Sequence, residues 1–280
     1  MALIIDGKKL AQEIREDLKI KCKELKEKGI NPKLAVVMVG DNKASQVYVR
    51  NKSKACEEIG LEFEEFLLGG NIKQKELIDL LEKLNQDNSI HGILLQSPIP
   101  EHLDINEAFR TIAPEKDVDG FHPINVGKLS LNQDTFVSCT PYGIMKMFEA
   151  YDIDLTGKNV TIIGRSNIVG KPLIQCCLNK NATVTVCHSK TKDLKQHTLN
   201  ADIVIAAIGK SKFVTADMIK KDAVVIDVGI NRDNDGKITG DVDFENVKDK
   251  ASYITPVPGG VGPMTIAMLL NNVIKACKLL

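Results

Sequence analysis

The pair most apt for chemistry is Tyr48-x-x-x-Lys52, within SQVYVRNKSKACEEIG, because residues four apart on an α-helix present their side chains to the same space. The same face continues through Ala55, Cys56 and Ile59 to a helix stop at Gly60, so Lys52 falls in a stripe expected to be buried. Burial lowers a lysine pKa, and a partly neutral lysine can act as a general base near neutrality. Read from this segment alone, a lysine at the stripe's edge that snorkels its ammonium to water fits equally well. Three further stretches end elements where α/β proteins place functional groups. In HGILLQSPIP, Gln96 ends an apolar run; in PEKDVDGF, Asp117 and Asp119 bracket Val118; in TPVPGGVGPMT, prolines and glycines shape a loop before a helix. Each also reads plainly as a strand-end cap, a turn or a connector.

A different chemistry is written in NVTIIGRSNIVGKP, whose strand, Gly164, loop, Gly170 and helix follow the order of a Rossmann-type dinucleotide turn. Ser166 stands where the usual fingerprint has its second glycine. Gly164 permits the sharp turn, Gly170 permits close helix approach, and main-chain N–H groups at the helix start are expected to face a diphosphate. The next strand, ATVTVCHSK, ends in His188, Ser189 and Lys190 instead of the acidic residue that commonly holds the ribose hydroxyls of NAD. With Arg165 in the turn, a cation and a hydroxyl are placed for a 2′-phosphate, which favours NADP over NAD. Short-chain dehydrogenases also use a Tyr-x-x-x-Lys pair, but behind their dinucleotide turn. Here the order is inverted, so the pair and the turn are expected on different domains with a cleft between them.

The elements that position these groups alternate. A helix from about Lys8 to Lys28, the strand KLAVVMVG, the Tyr48 helix, the strand LEFEEFLL, a helix around KELIDLLEKL and the strand HGILLQ predict βαβ units and a parallel sheet. FHPINVGKLSLNQDTFVSCTP reads as an irregular junction. Alternation resumes with KNVTIIG, a helix from about Val169, ATVTVCHS, ADIVIAAIG and AVVIDVGI, predicting a second parallel sheet. GPMTIAMLLNNVIKACKLL has helical spacing. The expected organisation is therefore α/β with two domains. Residues 1–138 form a parallel-sheet catalytic domain and 139–263 a Rossmann-type domain, with the helix of 264–280 returning to the first.

Composition narrows the partners. The 280 residues carry 37 basic and 37 acidic side chains, without the basic excess of a nucleic-acid or membrane-surface binder. The opening MALIIDGKKL has too short an apolar run for a signal peptide, and a soluble, cytoplasmic chain is expected. The seven cysteines form no Cys-x-x-Cys pair, so neither a disulfide framework nor a metal site is expected, and they read as small buried hydrophobes.

Taken together and in order, IIDGKKLA, VGDNKASQVYVRNKSKACEEIG, GILLQSPIP, APEKDVDGFHPINVGKL, CTPYGI, GKNVTIIGRSNIVGKPL, VCHSKT, ADIVIAAIGK, VIDVGIN, GDVDF and ITPVPGGVGPMT closely resemble the bifunctional methylenetetrahydrofolate dehydrogenase/methenyltetrahydrofolate cyclohydrolase family. The resemblance runs along essentially the whole chain. It implies that Lys52 is the catalytic acid/base, that Tyr48 holds and stacks the folate, that Gln96 hydrogen-bonds and tunes the lysine, and that Asp119 anchors the pterin. It further implies that Gly164, Arg165, Ser166, Ile168, His188, Ser189 and Ile230 bind NADP, and that the loop from Pro258 through Gly259 and Gly260 to Gly262 lies near folate and nicotinamide. A homodimer and a place in one-carbon metabolism supplying purine biosynthesis are implied by the resemblance alone. Ser138, where a proline usually precedes Cys-Thr-Pro, and Ser97, where an apolar residue often follows the glutamine, depart from the family pattern. Two alternatives are a dehydrogenase without cyclohydrolase activity and a silent nucleotide-binding scaffold. The intact set of Tyr48, Lys52, Gln96 and Asp119 argues against the first, and the intact phosphate turn against the second.

Overall fold

The computed structural model describes residues 2–233 and 235–279. In chain order its elements begin with β1 (Leu3–Ile4), α1 (Gly7–Glu27), β2 (Lys33–Val39), α2 (Lys43–Ile59), β3 (Glu62–Leu68), α3 (Gln74–Gln86), β4 (Gly92–Gln96), α4 (Ile105–Thr111), α5 (Pro123–Ser130) and α6 (Cys139–Ala150). They continue with β5 (Asn159–Ile163), α7 (Gly170–Leu178), β6 (Thr183–Cys187), α8 (Leu194–Leu199), β7 (Ile203–Ala206), a 3-10 turn (Ala216–Met218) and β8 (Val224–Asp227). The last are β9 (Asn231–Arg232), β10 (Ile238–Thr239), α9 (Phe244–Val247), β11 (Tyr253–Ile254) and α10 (Val261–Ala276).

The chain divides into two compact units, one of Met1–Ala11 with Thr140–Thr265 and the other of Gln12–Cys139 with Ile266–Leu280. They are called here the Gly164 unit and the Lys52 unit. The first eleven positions, expected with residues 12–138, group instead with the Gly164 unit. The cause is β1, too short to show a period in sequence, which pairs in parallel with β11.

In the Lys52 unit a parallel sheet runs in the order β3-β2-β4. β2 and β4 are almost wholly buried, as continuous apolar runs require when both faces are covered. β3, with one neighbour, is mostly exposed and carries carboxylates along its edge. Leu77, Leu81 and Leu84 of α3 pack against Ala35, Val37 and Val39 of β2 and Ile93 and Leu95 of β4. The expected junction after Gly120 contains α5, capped by His122 Nδ1 accepting from Ile124 N and started by Pro123.

The Gly164 unit holds a sheet in the order β1-β11-β8-β7-β5-β6, parallel throughout. β5 lies next to the edge strand β6 and between it and β7, so the turn that follows β5 is flanked by both neighbours' ends. No helix among the described residues is long and apolar enough to cross a membrane.

Candidate active site

Helix α2 has sharp ends. Asn42 accepts from Ser45 N at 3.0 Å through Oδ1, and Gly60 closes the helix in the left-handed conformation at φ 78°. Ser45, Val49, Ala55, Cys56 and Ile59 are buried, Lys52 is half-buried, and Tyr48 one turn earlier is exposed, its phenol making no hydrogen bond among the described residues. The stripe legible in sequence therefore buries the stem of Lys52 while its ammonium donates to Gln96 Oε1 at 2.8 Å. Gln96 is the last residue of β4 and is buried; its Nε2 donates to Ser97 O at 2.7 Å, which fixes which end of the amide faces the lysine.

Asp119 reaches the same place by pairing. Ile93 of β4 bridges Asp117 in parallel register, and Asp119 follows in the turn closed by Gly120 N donating to Asp117 O at 3.1 Å. The two carboxylates of DVDG have separate tasks. Asp117 accepts from Phe121 N at 3.2 Å, His122 N at 2.8 Å and Asn125 Nδ2 at 2.8 Å, and so builds the turn. Asp119 takes no part in those turn hydrogen bonds, and the Cys139 thiol lies beside its carboxylate. Burial lowers the Lys52 pKa, against the opposing pull of Asp119, and burial raises that of Asp119. Burial also raises the Cys139 thiol well above its ordinary range and pushes Cys56, near Lys52, up to about 12, so both stay protonated. Ser45 Oγ, seven residues before Lys52 on the same helical face, is buried without a partner among the described residues.

In the Gly164 unit the turn after β5 excludes side chains at both glycines. A Cβ at Gly164, φ 133°, would lie 2.2 Å from Ala207 O, and one at Gly170 would lie 2.5 Å from Gly164 O. The replacement of the second glycine also has a physical account: Ser166 Oγ accepts from Val169 N at 3.2 Å and Gly170 N at 3.3 Å, capping α7. Two of the N–H groups expected to face a diphosphate are thus spent on the serine. Arg165 and Ser189 are exposed, and the Arg165 guanidinium has no partner among the described residues. His188 follows β6, and its Nδ1 accepts from Lys190 N at 3.1 Å. Ile168 and Ile230 are exposed large apolar side chains. Pro258 follows a cis bond, Gly259 O accepts from Lys8 N at 2.9 Å, and Gly7 and Gly260 approach so closely that a Cβ on Gly7 would lie 2.1 Å from Gly260 O. A glycine cradle with an unpaired cation beside it fits an anionic dinucleotide.

Residues 5–119 match the family described as tetrahydrofolate dehydrogenase/cyclohydrolase, catalytic domain, and residues 138–280 match its NAD(P)-binding domain. The chain belongs to the tetrahydrofolate dehydrogenase/cyclohydrolase family. It is 56% identical over 278 residues to the "Bifunctional protein FolD" of Oceanobacillus iheyensis, covering 99% of this chain and 98% of that one. The bifunctional methylenetetrahydrofolate dehydrogenase/cyclohydrolase from Campylobacter jejuni has a solved structure similar at TM-score 0.99 and 54% identity, covering 100% of this chain and 99% of that one. The Trypanosoma brucei enzyme, solved with NADP cofactor and inhibitor, is similar at TM-score 0.95 and 37% identity, covering 99% and 98%.

Tyr48, Lys52, Gln96 and Asp119 fall in the region matched to the family's catalytic domain, and the turn of Gly164 in that matched to its NAD(P)-binding domain. Two groups escape sequence reading. Cys139 counted only as a small hydrophobe, yet its thiol contacts Asp119. Asp227 and Asp241 lie in VIDVGIN and GDVDF without an evident task. In the structure Asp241 accepts from Ile208, Gly209 and Lys210 N, while Asp227 accepts from Gly229, Asp241 and Val242 N, fixing the ends of β7 and β8. Burial pushes the Asp227 pKa up to about 6.

Proposed function

We propose that the chain is a bifunctional enzyme of one-carbon metabolism that oxidises 5,10-methylenetetrahydrofolate to 5,10-methenyltetrahydrofolate with NADP and hydrolyses the product to 10-formyltetrahydrofolate. The observation that carries this reading is the half-buried Lys52 held to Gln96 at 2.8 Å, with a carboxylate, Asp119, that the fold leaves for a ligand. Gly164, Arg165, Ser166, Ile168, His188, Ser189 and Ile230 would hold NADP, which when bound supplies the hydride acceptor.

In this reading Asp119 accepts hydrogen bonds from the aminopyrimidine edge of the pterin, as a carboxylate with two oxygens can. Tyr48 offers its exposed ring for stacking, and the loop of Pro258, Gly259 and Gly260 completes contacts to substrate. Lys52 acts in hydrolysis. Its neutral form takes a proton from the water that attacks the methenyl carbon, and its ammonium returns a proton to the ring nitrogen released when the carbon–nitrogen bond breaks. Gln96 accepts from the lysine without adding charge, so it orients Nζ while burial keeps the pKa low. The family likeness alone supports a homodimer acting in the cytoplasm, with the 10-formyl product serving purine biosynthesis.

A spectroscopic assay with 5,10-methylenetetrahydrofolate and either NADP or NAD tests the reading by following methenyl appearance and decay. Appearance with NADP followed by enzyme-dependent decay is expected. Appearance with no enzymatic decay would leave a dehydrogenase alone, and no appearance would overturn the assignment.

A further inference from the structure

Two stretches of chain meet beside Asp119, and one side chain of α10 ties them. Asn272, 1% exposed, donates through Nδ2 to Val118 O at 2.8 Å and to Val137 O at 3.1 Å, and the same nitrogen lies 3.9 Å from Cys139 Sγ. The stretches touch so closely that a Cβ on Gly120, φ 72°, would lie 2.7 Å from Ser138 N and 2.8 Å from Val137 C. Cys139 Sγ in turn donates to Val118 O at 3.4 Å. The turn's hydrogen bonds go to Asp117 and not to Asp119, so the position of the Asp119 carboxylate follows from this backbone. Asp117 holds the turn on one side and Asn272 holds the Val118 carbonyl on the other.

We propose that Asn272 is a positioning residue for the folate site, joining the Val118 and Val137 carbonyls so that Asp119 meets substrate at a fixed place relative to Lys52. The inference rests on the reading of Asp119 as the folate anchor. An amide nitrogen suits the task because its two hydrogens satisfy two carbonyls at once. An aspartate there would offer only acceptors to two carbonyl oxygens, and a leucine would fill the space but take the amide donor from both carbonyls, leaving Val118 O with only the weak Cys139 thiol.

The test compares Asn272→Leu, Asp119→Ala and the double variant, measuring folded fraction, KM for 5,10-methylenetetrahydrofolate, Kd for NADP and the pH profile of methenyl hydrolysis. Asn272→Leu should raise KM by about tenfold to a hundredfold at unchanged NADP Kd, the scale on which a small misplacement of binding groups acts. It should also move the pH profile, because Asp119 and Lys52 interact. In the Asp119→Ala background Asn272→Leu should add almost nothing, since the asparagine acts through the aspartate. A normal KM in the folded fraction, or losses that simply add in the double variant, overturns the proposal. If Asp119→Ala leaves KM unchanged, the folate-anchor reading itself fails and the inference with it. Should Asn272→Leu not fold, Asn272→Ser, which keeps one donor, serves the same comparison.

Discussion

Lys52 Nζ donates to Gln96 Oε1 at 2.8 Å, while Gln96 Nε2 is committed to Ser97 O at 2.7 Å. The amide therefore presents only its acceptor to the lysine, and does so without a charge that would oppose the depression of the lysine pKa by burial. Gln96→Glu replaces that neutral acceptor with a carboxylate. Opposite charge at hydrogen-bond distance favours the ammonium, so the Lys52 pKa should rise. The rising, acidic-side limb of the pH–rate profile for methenyl hydrolysis should shift to higher pH, with slower turnover near neutrality. An unshifted profile would mean that Gln96 does not tune the lysine.

The two aspartates of DVDG should part company on substitution. Asp117→Ala strands three N–H donors, two of them backbone, and at roughly 1–3 kcal/mol for each buried group left unpaired it should lower thermal stability sharply. Asp119→Ala should leave stability within about 0.5 kcal/mol yet weaken folate binding by on the order of 2–4 kcal/mol, a thirty- to thousandfold loss of affinity. Thermal melts and folate titrations on the two purified variants decide this. The reverse pattern would make Asp119 the turn residue.

That division shows where sequence reading stops. Continuous apolar runs announced β2 and β4, and helical spacing placed Lys52 on the inner edge of α2, because both signals are local. Which aspartate stays free depends on Asn125, eight residues past Asp117, and on Cys139, whose approach is set by the 136–139 stretch packing on Gly120. β1 and β11 are strands of two residues defined by their partners, not by any period of their own. α5 lay hidden in a turn-rich stretch because its start depends on a histidine cap and a proline, and not on an apolar face. Ser166 read as a lost glycine, whereas its hydroxyl caps α7, a role visible only once the turn is closed.

Arg165 is exposed in the dinucleotide turn, with Ser189 exposed beyond the next strand. Arg165→Ala should weaken NADP far more than NAD, because only NADP carries the 2′-phosphate. Titrating both dinucleotides into both proteins checks it. Equal losses would assign the arginine to the shared diphosphate or to the fold.

His91, just before β4, is buried with Nδ1 unpartnered among the described residues, and burial together with Lys116 holds its pKa below the ordinary value. The folded protein thus prefers the neutral ring. The associated stability is present above the unfolded pKa of about 6.5 and is lost as pH falls through the lower folded value. The melting temperature should therefore drop less steeply on acidification in His91→Leu than in the parent chain. Parallel acid dependence in both would remove His91 from the balance.

The central claim is that Lys52 is the base of the hydrolytic step while dinucleotide binding resides in the Gly164 unit. Lys52→Met keeps the buried stem and removes the ammonium. Following methenyl decay in this variant, with NADP affinity measured on the same preparation, tests the claim most directly. Hydrolysis should fall by about 10²–10⁴-fold, the range general base catalysis supplies, with NADP binding nearly intact. Hydrolysis at the parent rate in a variant that still binds NADP would contradict it.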